Sequence, residues 1–166
     1  MSDFENFWTL YEQTFPEHER RDLELQQEIM SHPAFRIQHY KKDDLYEGFL
    51  NTFHFADFVF VDHLAVCPDQ RGEGRGSAIM QELIHSTLKP IVLEVERPTS
   101  DNAVRRIDFY EGLGFHLNVF DYIQPAIDEG REPVPLFLMS YPERLNAADY
   151  ETVRQVIYRN VYNTAS

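Results

Sequence analysis

The sequence has one cysteine, no secretory start and no long apolar run. Cys67 is the single cysteine among 166 residues, so the chain cannot close a disulfide on itself. The opening MSDFENFWTLYEQTF lacks the basic residues and the uninterrupted apolar core of a signal peptide. No stretch approaches the roughly 18 consecutive apolar residues of a membrane helix. These absences predict a soluble, cytoplasmic protein without a membrane partner.

Positive charge is also scarce, with 15 Lys and Arg against 28 Asp and Glu and a net charge of −13. Nucleic-acid binding needs a basic surface that displaces counterions from phosphates, so a nucleic-acid partner is excluded. The charge favours a cationic small molecule as partner. Solubility alone is an equally good explanation of the acidity.

Hydrophobic residues make up 43% of the chain and aromatic residues 14%, which is enough apolar surface for a packed core. The length suits one domain, since domains usually contain about 100–200 residues. We therefore expect residues 1–166 to form a single domain.

Apolar periodicity predicts helices and strands in alternation. The predicted helices are 3–15, 20–30, the segment after the loop 69–76, 101–113 and 147–162. Two antiparallel strands are predicted on either side of a hairpin turn at 41–44. The stretch 46–67 is too long for one strand and is divided near 56–57 into two. Further predicted strands are 91–96, 115–122 and 136–139. A loop, 124–135, joins the last two strands. The inward residues predicted for the third helix are Ile79, Met80, Leu83, Ile84 and Leu88, and those for the last helix are Tyr150, Val153, Ile157 and Val161.

Three glycines, Gly72, Gly74 and Gly76, fall between a predicted strand and a predicted helix. Such a loop leaves backbone N–H groups uncrowded at a helix start, where the helix dipole attracts an anion. The spacing fits neither G-x-x-x-x-G-K-[ST] nor G-x-G-x-x-G, which argues against nucleoside triphosphates and dinucleotides. A glycine-rich turn without any ligand is the alternative.

The loop resembles the signature [QR]-x-x-G-x-[GA] of the GNAT superfamily of N-acetyltransferases, with Arg71, Gly74 and Gly76 at its defined positions. The preceding phrase 63–68 (HLAVCP), the strand 93–96 (LEVE) and the phrase 109–115 (FYEGLGF) resemble that family in the same order. The resemblance covers residues 58–122. It implies an α/β fold in which a mixed, mostly antiparallel central sheet is splayed at an acetyl-CoA cleft and flanked by helices. The usual strand before the first helix is short or missing here.

The resemblance implies acetyl-CoA as the acyl donor, and no metal. Its pantetheine arm would pair with the backbone of Leu64, Ala65 and Val66. Its pyrophosphate would lie on the N–H groups of Arg71, Gly72, Glu73, Gly74, Arg75, Gly76 and Ser77, with Arg71 or Arg75 offering charge. Family members often place an asparagine seven residues before a tyrosine; here Ala103 holds that position and Asn102 lies one residue earlier.

Tyr110 corresponds to the tyrosine that serves in many members as general acid toward the coenzyme's sulfur. Glu94 corresponds to a position that serves in some members as proton acceptor, directly or through water. Glu94 and Glu96 share one face of their strand, and two close carboxylates raise one pKa, which suits a base. Packing of the Tyr110 ring and ion pairs of the glutamates with Arg105 or Arg106 are the structural alternatives.

Asp62 and His63 are further candidates for the base, because their strand also lines the implied cleft and imidazole titrates near neutral pH. A packed or surface histidine is the alternative. The seven histidines show no metal-ligand spacing, so no metal site is predicted.

Together these features predict an enzyme that transfers acetyl from acetyl-CoA to a primary amine of a small, cationic acceptor by direct attack in a ternary complex. A regulatory module that binds acetyl-CoA without turnover and a protein or peptide N-acetyltransferase remain as alternatives. The sequence leaves open whether the chain forms a homodimer.

Overall fold

The computed structural model describes residues 1–128 and 130–164 of the chain. The chain divides into two compact units, Met1–Leu88 and Lys89–Ser166. Each unit contains three strands and its own helices, and each is described by itself. The prediction of one domain over residues 1–166 stays a prediction.

The first unit contains three helices and a hairpin-based sheet. Its elements are α1 (Asp3–Thr14), α2 (Leu23–Met30), β1 (Phe35–Lys42), β2 (Leu45–His54), β3 (Val59–Val66) and α3 (Arg75–Ser86). Ser2 caps α1 and forms a reciprocal capping box with Glu5. Asp22 caps α2 by accepting from the N–H of Leu25, so this helix begins three residues later than predicted.

The sheet of the first unit pairs β1 with β2 and β2 with β3, both antiparallel. Asp43 adopts a left-handed conformation in the predicted hairpin turn, with φ of 56°. Helix α1 packs on β2 and β3. Its Phe7 and Tyr11 are fully buried. The rings of Phe7 and Phe49 pack edge to face, with their centroids 4.6 Å apart. Aromatic packing therefore fixes α1 on this face of the sheet.

The second unit contains β4 (Ile91–Glu96), α4 (Asp101–Gly112), β5 (His116–Gln124), β6 (Val134–Tyr141) and α5 (Ala147–Asn160). Strand β6 lies between β4 and β5 and is antiparallel to both. Ser100 caps α4 and Asn146 caps α5. The four residues predicted to face inward from the last helix are all buried.

The predicted α/β class, with mostly antiparallel strands flanked by helices, is confirmed. Within the described residues the first element is α1. The prediction of Leu88 as an inward residue is wrong. Helix α3 ends at Ser86, and Leu88 lies exposed in the turn that leads to β4.

Candidate active site

The glycine loop leads from β3 into α3 through two turns. A 3₁₀ turn over Pro68–Gln70 is followed by a turn over 71–74, and α3 begins at Arg75. Gly72 and Gly74 have φ of +83° and +76°, a region that favours glycine. A Cβ at either position would meet no atom within 4 Å. Backbone conformation, rather than crowding, therefore calls for glycine here.

Helix α3 begins without a side-chain cap. Gly74 occupies the N-cap position and has no side chain to offer, whereas α1, α2, α4 and α5 each have a Ser, Asp or Asn that accepts a backbone hydrogen bond. The N–H groups at the first positions of a helix have no intrahelical acceptor. Those of Arg75, Gly76 and Ser77 therefore form a donor site with the positive end of the helix dipole behind it.

Both arginines of the loop make contacts within the first unit. The Nε of Arg71 donates to the carbonyl oxygen of Val66 at 3.0 Å. Arg75 forms an ion pair with Glu47 of β2, whose side chain is only 4% exposed against 37% for that of Arg75. These contacts attach the loop to the sheet. If Arg71 and Arg75 also contact a phosphate, as the sequence predicts, they must do so while keeping these two contacts.

A cavity of about 770 Å³ lies beside this loop, between it and the β1–β2 turn. It is lined by Lys42, Asp43, Asp44, Leu45, Glu47, Gln70, Glu73 and Arg75. Four carboxylates and two cations line this space, so its net charge is unsuited to a phosphate.

The predicted pantetheine residues Leu64, Ala65 and Val66 form the last part of β3. Ala65 is buried, and the other two are partly exposed. Gly48 of β2 faces Val66, and a Cβ at Gly48 would come within 2.4 Å of the carbonyl oxygen of Ala65. This close approach holds the end of β3 firmly against β2.

Tyr110 lies on α4 and is 9% exposed. Its ring contacts those of Phe109 and Phe115, with centroids 5.0 and 5.6 Å away. Burial raises the pKa of Tyr110, and the nearby Arg106 partly opposes that rise. The phenol is thus protonated at neutral pH, as a general acid must be.

Glu94 accepts three hydrogen bonds from the side chains around it. The hydroxyls of Tyr122 and Tyr162 donate at 2.6 and 2.7 Å, and Nε2 of Gln124 donates at 3.1 Å. Burial, followed by the charge of Glu94, raises the pKa of Tyr122 well above its usual value. Tyr122 therefore remains a proton donor to Glu94.

Two other residues that the sequence predicted for the site, Glu96 and Asn102, lie at the surface. Glu96, at the end of β4, is exposed. Asn102, in the first turn of α4, is also exposed, and its Oδ1 accepts a hydrogen bond from Arg105. Ala103, which occupies the family's asparagine position, is buried.

Asp62 and His63 belong to a buried ionic cluster in the first unit. Arg21 donates two hydrogen bonds to Asp62, at 2.7 and 2.8 Å, and both side chains are only 4% exposed. The Nδ1 of His63 lies 3.1 Å from the same carboxylate. Burial opposes the charge of Asp62, but Arg21 and then His63 outweigh it and hold the pKa of this carboxyl far below its usual range.

Known proteins resemble this chain in sequence and in fold. A model of the GNAT acetyltransferase domain matches residues 37–117. The structure of a candidate GNAT-family acetyltransferase from Bacteroides thetaiotaomicron is 36% identical, covers 97% of this chain and 92% of its own, and superposes with a TM-score of 0.89. The chain belongs to the GNAT acetyltransferase family.

Other known proteins either match a smaller part of this chain or share only its fold. YjbC of Bacillus subtilis (strain 168), a candidate acetyltransferase, is 38% identical over 74 residues. That match takes in 43% of this chain and only 38% of YjbC. Naa50 of Arabidopsis thaliana, solved with a bisubstrate analogue of coenzyme A and a peptide, is 16% identical with a TM-score of 0.63, over 86% of this chain and 93% of its own. An aminoglycoside 6′-N-acetyltransferase in complex with coenzyme A is 19% identical with a TM-score of 0.57, over 86% and 92%.

As a GNAT acetyltransferase, the chain is an acetyl-CoA-dependent enzyme by family. Within residues 1–128 and 130–164, no group of three or more His, Cys, Asp or Glu side chains is placed to hold a metal ion. None of the helices in that part of the chain has the length and apolar character to cross a membrane.

Sequence reasoning missed Arg21 and the donors to Glu94. Arg21 lies between two helices, where no periodicity singles it out, and its partner Asp62 is 41 residues away. Tyr122 and Tyr162 lie 28 and 68 residues from Glu94. The one available signal was the position of Tyr122 at the end of a predicted strand.

We predict that Arg21→Met lowers the free energy of unfolding by about 3–5 kcal/mol at pH 7, because it leaves a buried carboxylate unpaired. The depressed pKa of Asp62 stabilises the folded wild type above about pH 4. That stabilisation is lost as the pH falls through the folded-state pKa. Without Arg21, burial favours the neutral form of Asp62, so this carboxyl takes up a proton at a higher pH in the variant than in the wild type. The deficit of the variant should therefore narrow by about pH 4.

Urea denaturation at pH 7 and at about pH 4 measures both effects. Lys41→Met is the matched control, because Lys41 pairs with Asp3 at the surface, where both side chains are largely exposed. It should change stability little at either pH. An equally small effect of Arg21→Met would contradict the account of this cluster.

Proposed function

We propose that the protein transfers the acetyl group of acetyl-CoA to a primary amine of a small, cationic acceptor, by direct attack in a ternary complex. The observation that carries the proposal is the start of α3, where left-handed Gly74 leaves the first turn of the helix uncapped. Such a terminus binds a pyrophosphate through backbone N–H groups. It lies directly after the strand that the family uses for the pantetheine arm.

The proposed coenzyme contacts follow the loop. The pyrophosphate accepts from N–H groups of residues 71–77, and the backbone of residues 64–66 holds the pantetheine arm. The part of the Arg75 guanidinium that reaches solvent adds charge to the phosphate site without breaking its pair with Glu47. Asn102 is proposed as a further contact, and its exposure leaves it accessible.

The proposed chemistry needs a general acid and a proton acceptor. The acceptor ammonium loses a proton, and the free amine attacks the thioester carbonyl. Tyr110 then protonates the departing thiolate as the C–S bond breaks, and the extra proton of the amide nitrogen restores the Tyr110 phenol. Glu94 is one candidate for the proton acceptor, directly or through water. The remaining candidates for the proton acceptor are Glu96, Asp62 and His63.

The acceptor is proposed as a small cation because the net charge of −13 attracts one. One structural neighbour is an aminoglycoside N-acetyltransferase, and another was solved with a bisubstrate analogue that joins coenzyme A to a peptide, so a peptide acceptor is the second candidate. A panel of spermidine, an aminoglycoside and a peptide with a free N-terminus distinguishes the two. We also propose the cytoplasm as the compartment, from the single cysteine.

We predict that Gly74→Asp weakens acetyl-CoA binding by about tenfold or more, since it places a carboxylate where the pyrophosphate would lie. Isothermal titration calorimetry measures the change. Gly130→Asp is the matched control: Gly130 also has a positive φ, of 87°, and open space around its Cβ, but it lies in the β5–β6 loop. Equal binding by wild type and both variants would remove the loop from the coenzyme site.

We predict that Tyr110→Phe lowers turnover by about 100-fold while acetyl-CoA affinity stays within about threefold, because the phenol is needed for proton transfer rather than for binding. Release of the free thiol of coenzyme A reports turnover, and calorimetry reports affinity. An unchanged rate would exclude the phenol from the mechanism. A parallel loss of affinity would indicate that Tyr110 acts through packing.

A further inference from the structure

The proton acceptor of the proposed reaction can be assigned from the geometry of β3. A bulge interrupts the pairing of β3 with β2: Val61 faces Thr52 and His63 faces Asn51, so Asp62 is the additional residue. In a regular strand, neighbouring side chains point to opposite faces. The bulge instead brings the side chains of Asp62 and His63 within 3.1 Å of each other.

The carboxylate fixes the orientation of the imidazole. Asp62 is ionised and can only accept, so His63 donates to it through Nδ1–H. This leaves the lone pair on Nε2, the nitrogen that acts as a base in an Asp–His pair. The ring is also held edge-on by Tyr11 and Phe15 of the α1 region, at 5.0 and 4.6 Å.

Arg21 makes the pair rigid. Arg21 lies in the segment before α2, and its guanidinium donates to Asp62 and also to Oε1 of Gln26, at 3.3 Å. Its backbone N–H donates to the hydroxyl of Tyr11 at 2.7 Å. Burial raises the pKa of Tyr11 to about 12, so this phenol is neutral at assay pH. The titratable and charged groups around His63 are therefore the ionised Asp62, the Arg21 behind it and the neutral phenol of Tyr11.

The other candidates are less suited to take a proton. Asp62 is committed to Arg21, and Glu96 lies at the surface. The oxygens of Glu94 already accept from two tyrosines and an amide. For Nε2 of His63, no hydrogen bond to a residue within 1–128 or 130–164 is observed. The side chain is 13% exposed, so it is still reachable.

We propose that His63 is the general base that deprotonates the acceptor ammonium, with Asp62 and Arg21 as positioning residues. This assignment rests on the proposed acetyltransferase function. One proton passes from the ammonium to Nε2, giving an imidazolium paired with Asp62. The freed lone pair forms the new C–N bond as the C–S bond breaks, Tyr110 protonates the departing thiolate, and the second proton of the amide nitrogen replaces the one that Tyr110 gave up. The imidazolium returns its proton to water after product release.

The test is His63→Gln, which retains a donor for Asp62 but no base. We use the member of the spermidine, aminoglycoside and peptide panel that the wild type acetylates. At pH 7 the variant should turn over about 100-fold more slowly. The deficit should shrink to less than about tenfold as the pH approaches the amine's own pKa, about 8 for an N-terminal amine and 10 for an alkyl amine. Affinity for acetyl-CoA should not change.

His85→Gln, on the exposed face of α3, is the control and should behave as wild type. Asp62→Asn should lower kcat by a smaller factor and shift the pH profile, provided that it folds. A deficit of His63→Gln that is the same at every pH, or no deficit, overturns the assignment while the function stands. A wild type that binds acetyl-CoA but acetylates no member of the panel overturns both.

Discussion

The start of α3 is the constraint on which the rest of this account depends. A Ser, Asp or Asn at an N-cap contributes about 1 kcal/mol, and within residues 1–128 and 130–164 the chain has one at each of the α-helices α1, α2, α4 and α5. At α3 it has Gly74 in a left-handed conformation instead, which leaves the first-turn N–H groups to an external acceptor. Stability is forgone at the position where an anionic ligand would restore it.

Contacts with β2 and β3 hold the glycine loop in a fixed position. The ion pair of Arg75 with the buried Glu47 and the hydrogen bond from Arg71 to Val66 hold the loop against β2 and β3. Gly48 allows β2 to approach β3 closely at the same level. The backbone donors are therefore positioned before any ligand arrives, which reduces the entropy lost on binding.

Much of the fold was predictable because it rests on local signals. The bounds of β4, the hairpin turn at Asp43 and the inward residues of α5 follow from periodicity and turn chemistry. The predictions were wrong at two helix ends. Asp22 caps α2, so this helix begins later than expected, and α3 ends before Leu88. The glycine loop was found because its signal is contiguous.

The proton-transfer groups were only partly predictable for a physical reason. The shared face of Glu94 and Glu96 follows from strand parity, but the donors to Glu94 come from distant segments. The contact of Asp62 with His63 depends on a bulge that leaves no mark in the sequence. Asp62 is oriented by Arg21, and no periodicity links these two residues.

The most direct test of the central claim is the amide ¹H–¹⁵N NMR spectrum of the protein during titration with coenzyme A and, separately, with phosphate-free pantetheine. We expect coenzyme A to produce its largest shifts at the amides of residues 74–77, and pantetheine to leave these amides unchanged. If coenzyme A binds while the amides of residues 74–77 do not move, the start of α3 is not the pyrophosphate site and the account is wrong.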